Sequence, residues 1–135
     1  GAPRGRLLTA LTQVLSDEYS LARMCAVEAF VKAGRGAFAI PALRTLLRDD
    51  SVYLRVQAAR LWLDLGQPPE ELVAPLGEVA RSHNAGAAGI LGEVGELAEP
   101  AVPDIIEYLR YAAPTYDKDA GVEALMRIRP VPPAT

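Results

Sequence analysis

The chain is poor in the residues that build covalent and metal chemistry. It has one cysteine, Cys25, and one histidine, His83, in 135 residues. A single cysteine excludes an intramolecular disulfide and points to a reducing, cytoplasmic setting. One histidine without a cysteine cluster offers no set of metal ligands. Cys25 has no partner in the pattern of an activated nucleophile. Aromatic residues make up only 6% of the chain, and no apolar run approaches the roughly 18 residues that a membrane-spanning helix needs. No stretch alternates apolar and polar residues with a period of two, so strands are not expected. A basic excess is missing too. The formal net charge is −3 and the pI about 5.2, which argues against a general nucleic-acid surface. Twelve of the fourteen cations are arginine, which leaves room for a local basic patch. The opening Gly-Ala-Pro-Arg-Gly has neither an initiator Met nor a signal peptide's apolar core, and reads as the start of a trimmed or excised piece of a longer protein.

What the chain does have is alanine and leucine at helical spacing, and a segment written twice. Leu11 to Gly34 recurs thirty-two residues later as Leu43 to Gly66: Leu15 maps to Leu47, Asp17 to Asp49, Arg23 to Arg55, Ala26 to Ala58 and Phe30 to Trp62. A fixed period of this size marks a repeat architecture, which presents an extended surface rather than an enclosed pocket.

The spacing predicts one domain, 1–135, of eight helices in four pairs. The pairs span about 6–34, 38–66, 69–95 and 100–128, followed by a proline-rich tail, 129–135. The first helix is expected at Arg6–Leu15 and the second at Glu18–Ala33, with Ser16-Asp17 as its cap and Gly34 as its stop. The second pair is expected at Phe38–Arg48, with Pro41 in its first turn, and at Val52–Leu65, capped by Asp49-Asp50-Ser51 and ended by Gly66. Leu54, Ala58, Leu61, Trp62 and Leu65 form one apolar stripe, so Trp62 reads as core. The third pair has lost about three residues in its loop. The fourth carries Pro103, Ile105, Leu109 and Arg110 at the positions of Pro41, Leu43, Leu47 and Arg48, and inserts Ala113-Pro114.

The second pair, with Ile40-Pro41-Ala42-Leu43, Leu46-Leu47, Asp49, Leu54-Arg55, Ala58-Ala59 and Leu65-Gly66, resembles a HEAT repeat. The likeness is to the short bacterial HEAT-like kind found in phycobilisome lyases. Leu91-Gly92-Glu93-Val94-Gly95 followed by Ala101-Val102-Pro103 looks like that family's repeat junction. The resemblance implies an all-α fold: a right-handed α-solenoid, or α-α superhelix, of about four helical hairpins. It implies a structural ladder in which Arg23 and Arg55 reach toward Asp17 and Asp49 of neighbouring repeats. It also implies a concave face lined by the second helices. The candidate partner-binding residues there are Arg23, Glu28, Lys32, Arg55, Arg60, Asp64, His83, Asn84, Glu93 and Lys118.

Those residues are of mixed sign, which suits a protein partner better than phosphate. No catalytic residue, cofactor site or metal site is expected. The expected function is a non-enzymatic protein-interaction scaffold. The alternatives are a regulatory or structural repeat domain beside a catalytic domain of the same chain, or a relative of HEAT-like lyases or DNA glycosylases. Three features invite a structural test. Gly86, Gly89, Gly92 and Gly95 recur every third residue within one predicted helix, either as close packing in a thinned repeat or as a flattened docking patch. Cys25, equivalent to Gln57, is expected to be partly exposed. Both ends carry apolar residues, Leu7, Leu8, Leu11 and Val14 at one and Val122, Leu125, Met126 and Ile128 at the other. Solenoid ends usually carry a polar outer face, so flanking repeats or self-association through an end is expected.

Overall fold

Every regular element among the described residues is helical. The structure, a computed structural model, describes residues 2–14, 18–82, 84–111 and 117–129. The α-helices are α1 (Ala2–Val14), α2 (Ser20–Lys32), α3 (Ile40–Leu46), α4 (Val52–Asp64), α5 (Val73–Arg81), α6 (Ala85–Val94), α7 (Val102–Tyr111) and α8 (Asp117–Ile128). Short 3₁₀ turns at Gly36–Ala39, Pro69–Leu72 and Gly95–Ala101 lead into α3, α5 and α7. No described helix is long and apolar enough to cross a membrane. The chain divides into two compact units, Gly1–Gln67 and Pro68–Thr135, at the junction between the second and third pairs.

In the first unit α2 packs against α1, α3 and α4, and α3 packs against α4. Met24, Val27 and Phe30 of α2, Leu43 and Leu46 of α3, and Leu54, Ala58 and Trp62 of α4 are buried between them. Trp62 is completely enclosed, and the Arg44 guanidinium lies 5.4 Å from its ring centroid, a cation–π contact that closes the edge of the core. Leu61 and Leu65 of the expected stripe are only half-buried.

The duplicated sequence gives a duplicated helix ending. At the end of α2, Gly34 has φ +73° and donates to Val31 O, while Arg35 N–H donates to Phe30 O at 2.8 Å. At the end of α4, Gly66 has φ +70° and donates to Leu63 O, while Gln67 N–H donates to Trp62 O. Each pair of bonds satisfies carbonyls that the helix leaves open, and the left-handed backbone they require favours glycine.

The helix starts differ from expectation. α1 begins at Ala2 rather than Arg6. α2 begins at Ser20 rather than Glu18; its cap residue is Tyr19, whose side chain makes no capping bond. The expected cap Asp17 lies outside the described residues. α3 is shorter than Phe38–Arg48, because Gly36–Ala39 winds as a 3₁₀ turn before Pro41 takes its place in the first α-turn. At α4 the cap is Ser51 alone: its Oγ accepts from Leu54 N–H at 3.3 Å.

In the second unit α5 packs on α6 and α7, and α8 packs on α6 and α7. Leu72, Leu76, Ile90, Leu91, Ile105, Tyr108 and Ile128 fill its centre. α6 and α8 approach closely at one point. A Cβ added at Gly92 would lie 2.9 Å from Ala124 Cα, so glycine is what lets the two backbones meet. Gly121 of α8 instead leaves room for side chains of α7: a Cβ there would lie 2.6 Å from Leu109 Cδ2 and 3.1 Å from Tyr108 Cδ1. No polar or charged side chain is buried among the described residues of either unit.

Candidate partner-binding face of α2 and α4

Two sets of contacts fix α2 and α4 side by side and parallel. At their starts, the Ser20 hydroxyl of α2 donates to Asp49 Oδ2, just ahead of α4. Toward their ends, Glu28, Val31 and Lys32 of α2 share a groove with Gln57, Arg60 and Leu61 of α4. Glu28 and its repeat equivalent Arg60 line the same groove.

Asp49 is the polar centre of this arrangement. Its Oδ1 accepts from Ser51 N–H at 2.9 Å, and its Oδ2 lies 3.6 Å from Arg23 Nη2. Arg23 also donates to Ser20 Oγ at 3.4 Å, and Arg55 Nε donates to the Asp49 carbonyl. Burial pushes the Asp49 carboxyl up, but the bonds from Ser20 and the Ser51 amide, together with the Arg23 and Arg55 guanidiniums, outweigh it. The net effect holds the carboxyl below its ordinary value of 3.8. Asp49 thus ties the start of α2 to the turn before α4.

Arg23 and Arg55 were expected both as ladder residues and as part of the binding face. The structure places them at Asp49, half-buried: Arg23 reaches the carboxylate of the next repeat, and Arg55 donates to the Asp49 carbonyl of its own. Asp17 lies outside the described residues. Asn84 is likewise a capping residue: its Oδ1 accepts from Ala87 N–H at 3.0 Å at the start of α6. His83 lies outside the described residues. Glu28, Lys32, Arg60 and Asp64 are exposed on α2 and α4, as are Glu93 on α6 and Lys118 on α8.

The solvent face of the first unit is regular in a way that the apolar periodicity does not reveal. Leu21, Cys25, Glu28 and Lys32 follow one another along α2 at i, i+4, i+7 and i+11. Tyr53, Gln57, Arg60 and Asp64 do the same along α4, each thirty-two residues on. Leu21 and Tyr53 are 64% and 65% exposed, an apolar end to a face whose other end is charged. The thirty-two-residue duplication carries these polar and exposed positions as well as the apolar ones of the core. Between the rows, Val31 and Leu61 floor a groove of about 180 Å³. That is smaller than the roughly 300–1,000 Å³ of a usual small-molecule pocket. It has room for a side chain.

The glycines of α6 resolve into different roles. Nothing lies within 4 Å of a Cβ added at Gly89, whereas Gly92 is pressed against α8 and Gly95 has φ +75° where α6 ends. The close-packing reading therefore fails at Gly89. Its physical place is Gly92, which the repeat pattern already contained. Cys25 is exposed, and no group of three or more metal-capable side chains converges among the described residues. At the C-terminal end, Val102 and Ile106 of α7 and Leu125 and Met126 of α8 line a shallow apolar depression, with Ile128 buried. The side chains of Leu7 and Leu8 at the other end lie outside the described residues. No family model, curated protein or solved structure matches the chain.

Proposed function

We propose that the chain is a HEAT-like α-solenoid segment, right-handed, that acts as a non-enzymatic protein-interaction module. On this reading the solvent-facing sides of its second helices, lining a concave face, form the binding surface, and the setting is cytoplasmic. The observation that carries the reading is the α2–α4 face. It combines exposed apolar side chains, a narrow groove with an apolar floor, and charges of both signs on two rigid neighbouring helices. Protein interfaces combine apolar anchors with a polar rim in this way, whereas a nucleic-acid surface calls for one sign. The helix pairing within the second unit supports the solenoid. There α5 meets α7 and α6 meets α8, first helix to first and second to second, as in stacked hairpins.

Affinity capture with the wild-type chain and with a Lys32→Glu/Arg60→Glu variant tests the function. A partner retained by the wild type and lost by the equally stable variant is the expected result. An identical set of retained proteins would overturn the assignment of this face. Small-angle scattering tests the solenoid, which predicts an elongated particle with a larger radius of gyration than a compact domain of the same length.

A further inference from the structure

The charges of the α2–α4 face invert across the repeat. Where α2 has Glu28 and Lys32, α4 has Arg60 and Asp64 at the equivalent positions, while Leu21 and Tyr53 are both apolar. Had the duplication kept the signs, a two-fold axis between the helices would set like charges against each other. As the sequence stands, the opposite holds. We propose that this face binds a second copy of the chain. The symmetric dimer would have its axis parallel to α2 and α4 and midway between them. The proposal rests on the reading of this face as an interaction surface and names its partner.

Such an axis lays α2 of one copy along α4 of the other, parallel and in register. Leu21 then meets Tyr53, Cys25 meets Gln57, Glu28 meets Arg60 and Lys32 meets Asp64. Each pairing occurs twice, as an isologous interface requires. Apolar side chains meet apolar ones, and every charge meets its opposite. All eight side chains reach solvent: seven are exposed and Gln57 is half-buried. Opposite charges set against one another fix register and orientation, and a shift by one helical turn would bring like charges together.

Sedimentation equilibrium of the full chain tests this with two variants, Lys32→Glu and Asp64→Lys. Both residues are exposed, and melting temperatures report whether either variant is damaged. The wild type is expected to dimerise, more weakly as salt rises. Each single variant sets two like-charge pairs across the interface and should weaken dimerisation at least about tenfold. An equimolar mixture of the two variants restores both pairings. The glutamate introduced at position 32 of one copy faces the lysine introduced at position 64 of the other, and the native Asp64 faces the native Lys32. The mixture should therefore associate as heterodimers more tightly than either variant alone. A monomeric wild type at hundreds of micromolar, unaffected single variants, or a mixture no tighter than its components would overturn the proposal. So would loss of the dimer on Met126→Glu with Lys32→Glu neutral, because that places the contact at the α7–α8 depression. A monomeric wild type whose captured partner is still lost on Lys32→Glu/Arg60→Glu would end this proposal and leave the interaction-module reading standing.

Discussion

The two units are held together in different ways. In the first, a large aromatic residue fills the centre, and a polar knot at Asp49 ties α2 to the turn before α4. In the second, α8 meets α6 and α7 through glycine: Gly92 lets the α6 and α8 backbones come together, and Gly121 makes room for the side chains of Leu109 and Tyr108 of α7. Their charges differ as well. The first unit has nine Arg and Lys against six Asp and Glu, the second five against eleven. The first unit is therefore net positive inside an acidic chain. Its regular repeat leaves the outer face of the second helices free to carry a pattern. The second unit has traded that regularity for close approach.

The largest test of this contrast removes the aromatic centre. Trp62→Ala should cost about 3–5 kcal/mol in chemical denaturation, the usual range for a fully enclosed Trp. A cost under about 1 kcal/mol would mean that the first unit does not depend on that residue. Next in size is Gly92→Ala. One methyl group forced against the Ala124 backbone should destabilise by about 1–3 kcal/mol, although alanine is the better helix former. A neutral result would break the claim that α6 and α8 need glycine.

Asp49→Asn should cost about 1–2 kcal/mol at neutral pH, since hydrogen bonds and a partly buried ion pair to a carboxylate are weakened together. Its pH dependence has a definite sign. The folded-state value lies below the unfolded one, so Asp49's contribution is complete above about pH 4 and is lost as pH falls through the folded value. Denaturation midpoints of the variant should therefore converge on those of the wild type as pH drops below that point. The smallest expected effect is Gly89→Ala, a gain of up to about 1 kcal/mol because the added methyl group meets nothing. Gly89 and Gly92 should thus move the melting temperature in opposite directions.

The thirty-two-residue period made much of the first unit legible. The stops at Gly34 and Gly66, the tolerated Pro41, the cap at Ser51 and the buried Trp62 all follow from local rules that act within a turn or two. The 3₁₀ entries into α3, α5 and α7 were not legible, because apolar periodicity does not distinguish i→i+3 from i→i+4 bonding at a helix start. Nor could sequence separate Gly89 from Gly92. Both read as helix glycines, and only the position of α8 decides which is pressed. The candidate site was half legible. Glu28, Lys32, Arg60 and Asp64 are exposed on α2 and α4, whereas Arg23, Arg55 and Asn84 are drawn into capping and cross-helix bonds that outcompete solvent. The inverted charges were in the sequence throughout, and they gained meaning once α2 and α4 were parallel and in register.

Cys25 offers the most direct measurement. It is the one cysteine of the chain, it is exposed, and it sits in the middle of the α2 row. A nitroxide attached there reports the distance between copies by dipolar broadening of its continuous-wave resonance spectrum. With packed helices about 8–10 Å apart, the proposed dimer sets the two α2 axes diagonally across the four helices, about 11–14 Å from each other. Dipolar broadening is expected in the wild type and should be lost in labelled Lys32→Glu. A spectrum without dipolar broadening at hundreds of micromolar wild type, or the same broadening in Lys32→Glu, would contradict the dimer.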